Sequence, residues 1–184
     1  MKRFEGPQLH GKKNLLITGL PGVGKTTLIK KLYEELKPLH PAGFYTAEIR
    51  EGGIRRGFEL IGLDGKRGLL SHVAIETPYR VGKYRVDVRG FEDFLEAISF
   101  FGASTGIVMI DEIGKMECLS ERFKRVLKEI LDGEKRVIAT IASGGSGLIE
   151  EIKIRQDVRL FEMTQKNRGS LLVEILEEIK FSGD

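Results

Sequence analysis

The segment Gly19-Leu20-Pro21-Gly22-Val23-Gly24-Lys25-Thr26 limits what this chain can fold into more than any other stretch. It matches the pattern G-x-x-x-x-G-K-[S/T]. It follows a short apolar run, Asn14–Thr18, and precedes a stretch in which Leu28, Leu32 and Leu36 fall four apart with Ile29 beside them. The run reads as a parallel strand buried on both faces, and the recurrence reads as a helix with one apolar stripe. Pro38 and Pro41 end that helix. The glycines let successive N–H groups aim at phosphate oxygens, and the helix points its positive end at the same anion. Residues Gly19 to Thr27 are therefore the expected phosphate cradle. Within it Lys25 reaches the β- and γ-phosphates and Thr26 ligates Mg²⁺.

The rest of the chain alternates between strand-like and helix-like patterns. Gly43–Arg50 and Arg55–Leu63 read as two strands joined at Gly52-Gly53. Asp64-Gly65 leads into a third, so residues 43–74 read as an antiparallel β insertion. Phe91, Phe94, Leu95, Ile98 and Phe101 fit one face of a helix. Ile107–Glu112 reads as a buried strand. Ser120 is placed to cap a helix whose inner face is Phe123, Val126, Leu127, Ile130 and Leu131. Arg136–Ala142 reads as a core strand, Gly144–Gly147 as a loop, Asp157–Met163 as a last strand and Arg168–Lys180 as a last helix. This order predicts an α/β fold of the P-loop NTPase type, a mostly parallel sheet flanked by helices, in one domain spanning residues 1–184. Residues 1–12 read as a loose tail.

A second motif follows from the first. The strand Ile107–Ile110 delivers Asp111 at its C-terminal end, where ligands of open α/β sheets sit. Asp111 suits the metal shell, and Glu112 beside it suits the attacking water, which it would orient or deprotonate. Asp111 and Gly114 also fit a D-x-x-G pattern, but no N-K-x-D or T-K-x-D occurs, which disfavours a guanine-specific switch. Lys115 is a candidate for the γ-phosphate. In the loop Thr164–Arg168, Asn167 is a candidate for a base or ribose, and Arg168 for stacking on a base or meeting phosphate. Arg155 and Arg159, after the glycine-rich loop, are candidates for neutralising charge that builds on the γ-phosphate. The basic stretch Arg80–Asp87 reads as a solvated connector.

Composition narrows the partners. Net charge is +3 and charged residues make up 31%, without the concentrated basic surface of a dedicated nucleic-acid binder. No stretch reaches the ~18 apolar residues of a membrane helix, and the N-terminus has no apolar signal core. Cys118 is the only cysteine, so an internal disulfide is excluded and a cytoplasmic setting fits. His10, His40 and His72 lack metal-ligand spacing. Asn and Gln total five, a scarcity shared with thermophile proteins.

Together these segments resemble the thermophilic-type nucleoside-triphosphatases, small P-loop proteins with vertebrate members called cancer-related NTPases. The matching stretches are GLPGVGKTTLIKKL, GFYTAEIREGGIRRGFEL, VGKYRVD, IVMIDEIGKMECLSERF and IEEIKIRQDVRLFEMTQKNR. The resemblance implies Mg²⁺-dependent conversion of NTP to NDP and phosphate, broad base choice and a compact monomer. It implies a phosphate site at Gly19–Thr26 and a metal and water site at Asp111 and Glu112. One departure is Ala142, where the family pattern leads to an expected proline after Thr140-Ile141. Two other readings stay open on sequence grounds. One is a small kinase for a nucleoside, nucleotide or nucleic-acid end; the other is a nucleotide-gated binding module.

Overall fold

The computed structural model describes residues 12–181; the expected tail, with Gly6-Pro7 and His10, lies outside them apart from Lys12. Nine strands, β1 (Asn14–Thr18), β2 (Pro41–Glu51), β3 (Ile54–Gly62), β4 (Arg67–His72), β5 (Arg80–Val81), β6 (Tyr84–Val86), β7 (Ile107–Ile113), β8 (Arg136–Ile141) and β9 (Val158–Glu162), form one sheet among the described residues. Their order is β5-β6-β4-β3-β2-β7-β8-β1-β9. The pairs β2–β7, β7–β8, β8–β1 and β1–β9 are parallel, and the remaining pairs are antiparallel.

Side chains alternate across a strand. Leu15 and Ile17 therefore face one layer, with Ile29, Leu32 and Leu36 of α1 (Lys25–Leu36) and Leu171 and Ile175 of α5 (Leu171–Phe181). Leu16 faces the other, with residues of α2 (Val88–Glu96), α3 (Glu121–Asp132) and α4 (Leu148–Lys153). Two-sided burial explains why β1, β7 and β8 read as unbroken apolar runs. The Ser120 hydroxyl accepts from the Phe123 N–H at 2.9 Å, as its position before α3 predicts. At Gly43 (φ +145°), a Cβ would stand 1.7 Å from the Met109 carbonyl oxygen, so only glycine lets β2 lie against β7 there.

Several expectations need correction. The expected antiparallel β stretch over 43–74 is present, with β2 paired to β3 and β3 to β4, but the start of β2 also pairs in parallel with β7 over Pro41–Phe44. The antiparallel part begins at the β2–β3 pair and runs on past residue 74 to Val86. Arg80–Asp87 is not a connector: β5 and β6 pair as a tight hairpin. The last helix starts at Leu171 rather than Arg168, because Thr164–Ser170 folds into successive turns first. Phe101 lies beyond the end of α2 and is 58% exposed, so it is no part of that helix's inner face. Val126 is only partly buried against the α3 layer.

Candidate active site

The loop between β1 and α1 turns through three glycines at positive φ, Gly19, Gly22 and Gly24. At Gly19 a Cβ would come within 2.5 Å of the Met163 carbonyl oxygen, so packing against the end of β9 also demands glycine. Leu20 is 73% exposed, while Val23 is buried and anchors the loop in the core. Lys25 opens α1 and is 9% exposed. Its Nζ donates to the Gly19 carbonyl at 2.8 Å and stands 3.8 Å from Glu112 Oε2. The cation is thus folded back over the loop that would receive phosphate.

Two strands away, the β7–β8 register shifts between Ile110 and Ile113, where Asp111 and Glu112 stand. Asp111 is 1% exposed, and both its oxygens are held. Thr26 Oγ1 donates to Oδ2 at 2.7 Å, and Thr140 Oγ1 donates to Oδ1 at 2.5 Å. Burial pushes this carboxyl above the ordinary range, against the pull of the two hydroxyls and of the Thr46 backbone N–H. Burial also raises Glu112, with Lys25 opposing and Asp111 adding to the rise. Glu117 is buried on the short turn that follows β7, and burial pushes it up to about 8.

These groups share one cavity of about 810 Å³. Of the expected residues, Gly19, Pro21, Gly22, Gly24, Lys25, Thr26, Thr27, Asp111, Glu112 and the exposed Lys115 line it. The fit to Mg²⁺ is chemical. A hydroxyl and a carboxylate at hydrogen-bond distance are hard oxygen donors, which Mg²⁺ combines with substrate phosphates and water. Among the described residues no three His, Cys, Asp or Glu form a cage, and a nucleotide-bound Mg²⁺ needs none.

A family profile described as NTPase matches residues 14–176. The nucleoside-triphosphatase THEP1 of Thermotoga maritima is 48% identical over 169 residues, covering 91% of this chain and 96% of that one. The human cancer-related nucleoside-triphosphatase is 40% identical over 186 residues, covering 92% and 98%. The chain belongs to the nucleoside-triphosphatase family. The crystal structure of THEP1 from Aquifex aeolicus superposes with a TM-score of 0.77 at 35% identity, covering 89% of this chain and 97% of that one. The solution structure of the human protein gives 0.78 at 38%, covering 94% and 100%. Both confirm the P-loop NTPase fold.

Other expected site residues of this NTPase lie apart. Asn167 and Arg168 do not line the cavity. The Asn167 amide closes its own loop, donating to the Glu162 carbonyl at 2.8 Å and accepting from the Thr164 N–H at 2.7 Å. Arg155 is tied to Asp132 at 2.7 Å and to Asp157 at 2.8 Å. Arg159 pairs with Glu178 and stands 3.7 Å from Glu174. Neither arginine lines the cavity. Cys118 is half-buried, and burial pushes its thiol up to about 12.

The sequence reading missed Thr140, whose hydroxyl faces Asp111. Its signal was position: it follows Ala139 of β8, the register partner of Ile110, as Asp111 follows Ile110 in β7. Also missed were Glu48, Arg55 and Phe58, which line the far side of the cavity.

Proposed function

We propose that the chain hydrolyses nucleoside triphosphates to diphosphate and phosphate with Mg²⁺ held by Thr26 and Asp111. The observation that carries this reading is the Asp111 carboxylate, buried yet hydrogen-bonded by Thr26 at 2.7 Å and by Thr140 at 2.5 Å beside the phosphate loop. A carboxylate fixed in this way supports metal binding without reorganisation. When bound, Mg²⁺ supplies charge neutralisation on the phosphate oxygens. The loop N–H groups from Gly19 to Thr27 hold the phosphates. Lys25 leaves the Gly19 carbonyl for the β- and γ-phosphates, and Lys115 meets the γ-phosphate from the cavity's exposed side. Glu112 accepts a proton from the attacking water. Charge that builds on the transferred group meets Lys25 as the water's oxygen joins phosphorus and the bridging bond breaks.

Broad base choice is part of this reading. The Asn167 amide is occupied within its loop, and neither it nor Arg168 lines the cavity. A base is thus left to nonspecific contact, with Arg168 as the candidate. The protein acts as a cytoplasmic monomer in this account. Among the described residues no helix is long and apolar enough to cross a membrane, and no nucleic-acid partner is invoked.

The test is phosphate release from ATP, GTP, CTP and UTP with Mg²⁺. Release from all four is expected, with a loss of about 100-fold or more in Lys25→Ala. Glu112→Gln is expected to slow release while nucleotide still binds. Faster release in Glu112→Gln would instead make Glu112 a restraint on Lys25, its partner at 3.8 Å.

A further inference from the structure

The cavity is larger than the phosphate end requires, and its shape has a direction. Lys25 and Thr26 serve the β- and γ-phosphates and the metal. The bond from Thr26 to Asp111 places that end against β7. In the sheet order β2 and β3 lie beyond β7, on the side away from β1 and the phosphate loop. The same cavity continues over them, lined by Glu48 of β2 and by Arg55 and Phe58 of β3. A molecule resting there would face the γ-phosphate from the side opposite the loop.

The walls of this chamber have a definite chemistry. Phe58 is only partly buried, although the cavity-lining Leu70 close by is buried. The Arg55 guanidinium stands 5.2 Å from the Phe58 ring centre. It is fixed by bonds of 2.8 Å to Tyr84 Oη and 2.8 Å to Glu48 Oε1. Arg55 lies over the Phe58 ring and Tyr84 meets that ring edge-on, 5.4 Å between centres, so a planar heteroaromatic ring would stack on the part of this aromatic–cation cluster that faces the cavity. Arg55 donors and Glu48 acceptors suit the polar edge of such a ring. Catalysis by water needs none of these groups.

We propose that this chamber is an acceptor subsite for a nucleoside, whose sugar hydroxyl takes the γ-phosphoryl group in place of water. This rests on the phosphate and metal reading given above. The hydroxyl oxygen forms the new bond to the γ-phosphorus. The bond from that phosphorus to the β–γ bridging oxygen breaks, and the nucleoside diphosphate leaves with its electron pair. The hydroxyl proton passes to Glu112, and the products are a nucleoside monophosphate and a nucleoside diphosphate. Phe58 stacks the ring, while Glu48 and Arg55 orient its edge.

The experiment incubates the full chain with Mg²⁺, γ-labelled ATP and adenosine, guanosine, cytidine, uridine or thymidine in turn. Labelled nucleoside monophosphate and labelled free phosphate are measured together. At least one nucleoside is expected to become labelled faster than water releases phosphate. In Phe58→Ala the ratio of transfer to release should fall about tenfold, as expected for loss of one base–aromatic stack. Phe58→Leu keeps an apolar side chain without a flat face and should show the same fall. Phe58→Tyr should restore the ratio. Phosphate release with no labelled nucleoside would overturn the acceptor subsite and leave the hydrolytic reading standing. Transfer with an unchanged ratio in Phe58→Ala and Phe58→Leu would overturn the placement of the acceptor. Neither transfer nor release would overturn the hydrolytic reading and this inference with it.

Discussion

The two ends of the cavity are built differently. At the β1–β7 end the polar groups are buried and interlocked: Lys25 lies on its own loop, and Asp111 lies between Thr26 and Thr140. At the β2–β3 end they are half-exposed and paired at the surface, as in Arg55 with Glu48. Parallel strands covered on both faces create the first environment. Antiparallel strands extending past the helices create the second. Buried polar pairs hold one geometry and are costly to break, whereas exposed ion pairs contribute about 0–1 kcal/mol. Asp111 is thus held before any substrate arrives, whereas Lys25 would have to leave the Gly19 carbonyl to meet phosphate, and the far wall rests on half-exposed pairs.

The sharpest way to break this comparison is through Glu117. Its folded value of about 8 lies above the ordinary 4.5, chiefly because of burial. Between those values the native state holds a proton that the unfolded state has lost. Stability of the free protein should therefore fall as pH rises from about 4.5 towards about 8. Thermal melts without nucleotide or metal should show that decline, and Glu117→Gln should make it shallower, leaving the part contributed by the raised Asp111 and Glu112 carboxyls. Equal slopes in both proteins would mean the carboxyl is not held in a dry site.

Next comes Thr140→Val, which keeps shape but leaves Asp111 Oδ1 without its hydroxyl donor. It should cost about 1–3 kcal/mol in denaturant unfolding. It should also lower turnover or metal affinity by about 10–100-fold. The smallest effect is expected at the other end. Glu48→Gln weakens a pair in which Arg55 is 43% and Glu48 37% exposed. Its effect on stability should stay within about 1 kcal/mol. A larger loss there than in Thr140→Val would reverse the contrast.

The same contrast decides what could be read from the chain. Strands β1, β7 and β8 were legible because two-sided burial leaves continuous apolar runs. The phosphate loop was legible because its backbone geometry demands glycine at fixed spacing. Ser120 was legible as a cap because its partner, Phe123, is three residues away. Arg159 could not be placed, since its acids Glu174 and Glu178 are remote in sequence, and of the two acids of Arg155 only Asp157 is local while Asp132 is 23 positions away. Thr140 was obscure because a threonine within a buried apolar strand carries no pattern, and its partner lies 29 positions away. The β5–β6 hairpin went unread because strands of two and three residues are too short for periodicity. Asn167 reads as a base or ribose contact in the sequence, but its amide is engaged within the turn that precedes α5.

Asp111, held by two hydroxyls in the free fold, is the acid proposed to carry the metal. The direct measurement is the rate of phosphate release from ATP against Mg²⁺ concentration, for the unaltered chain and Asp111→Asn. The account predicts saturable dependence on Mg²⁺ in the first. In the second it predicts a loss of about 100-fold or more at any concentration that saturates the first. An Asp111→Asn protein that kept both the rate and the Mg²⁺ dependence would contradict it.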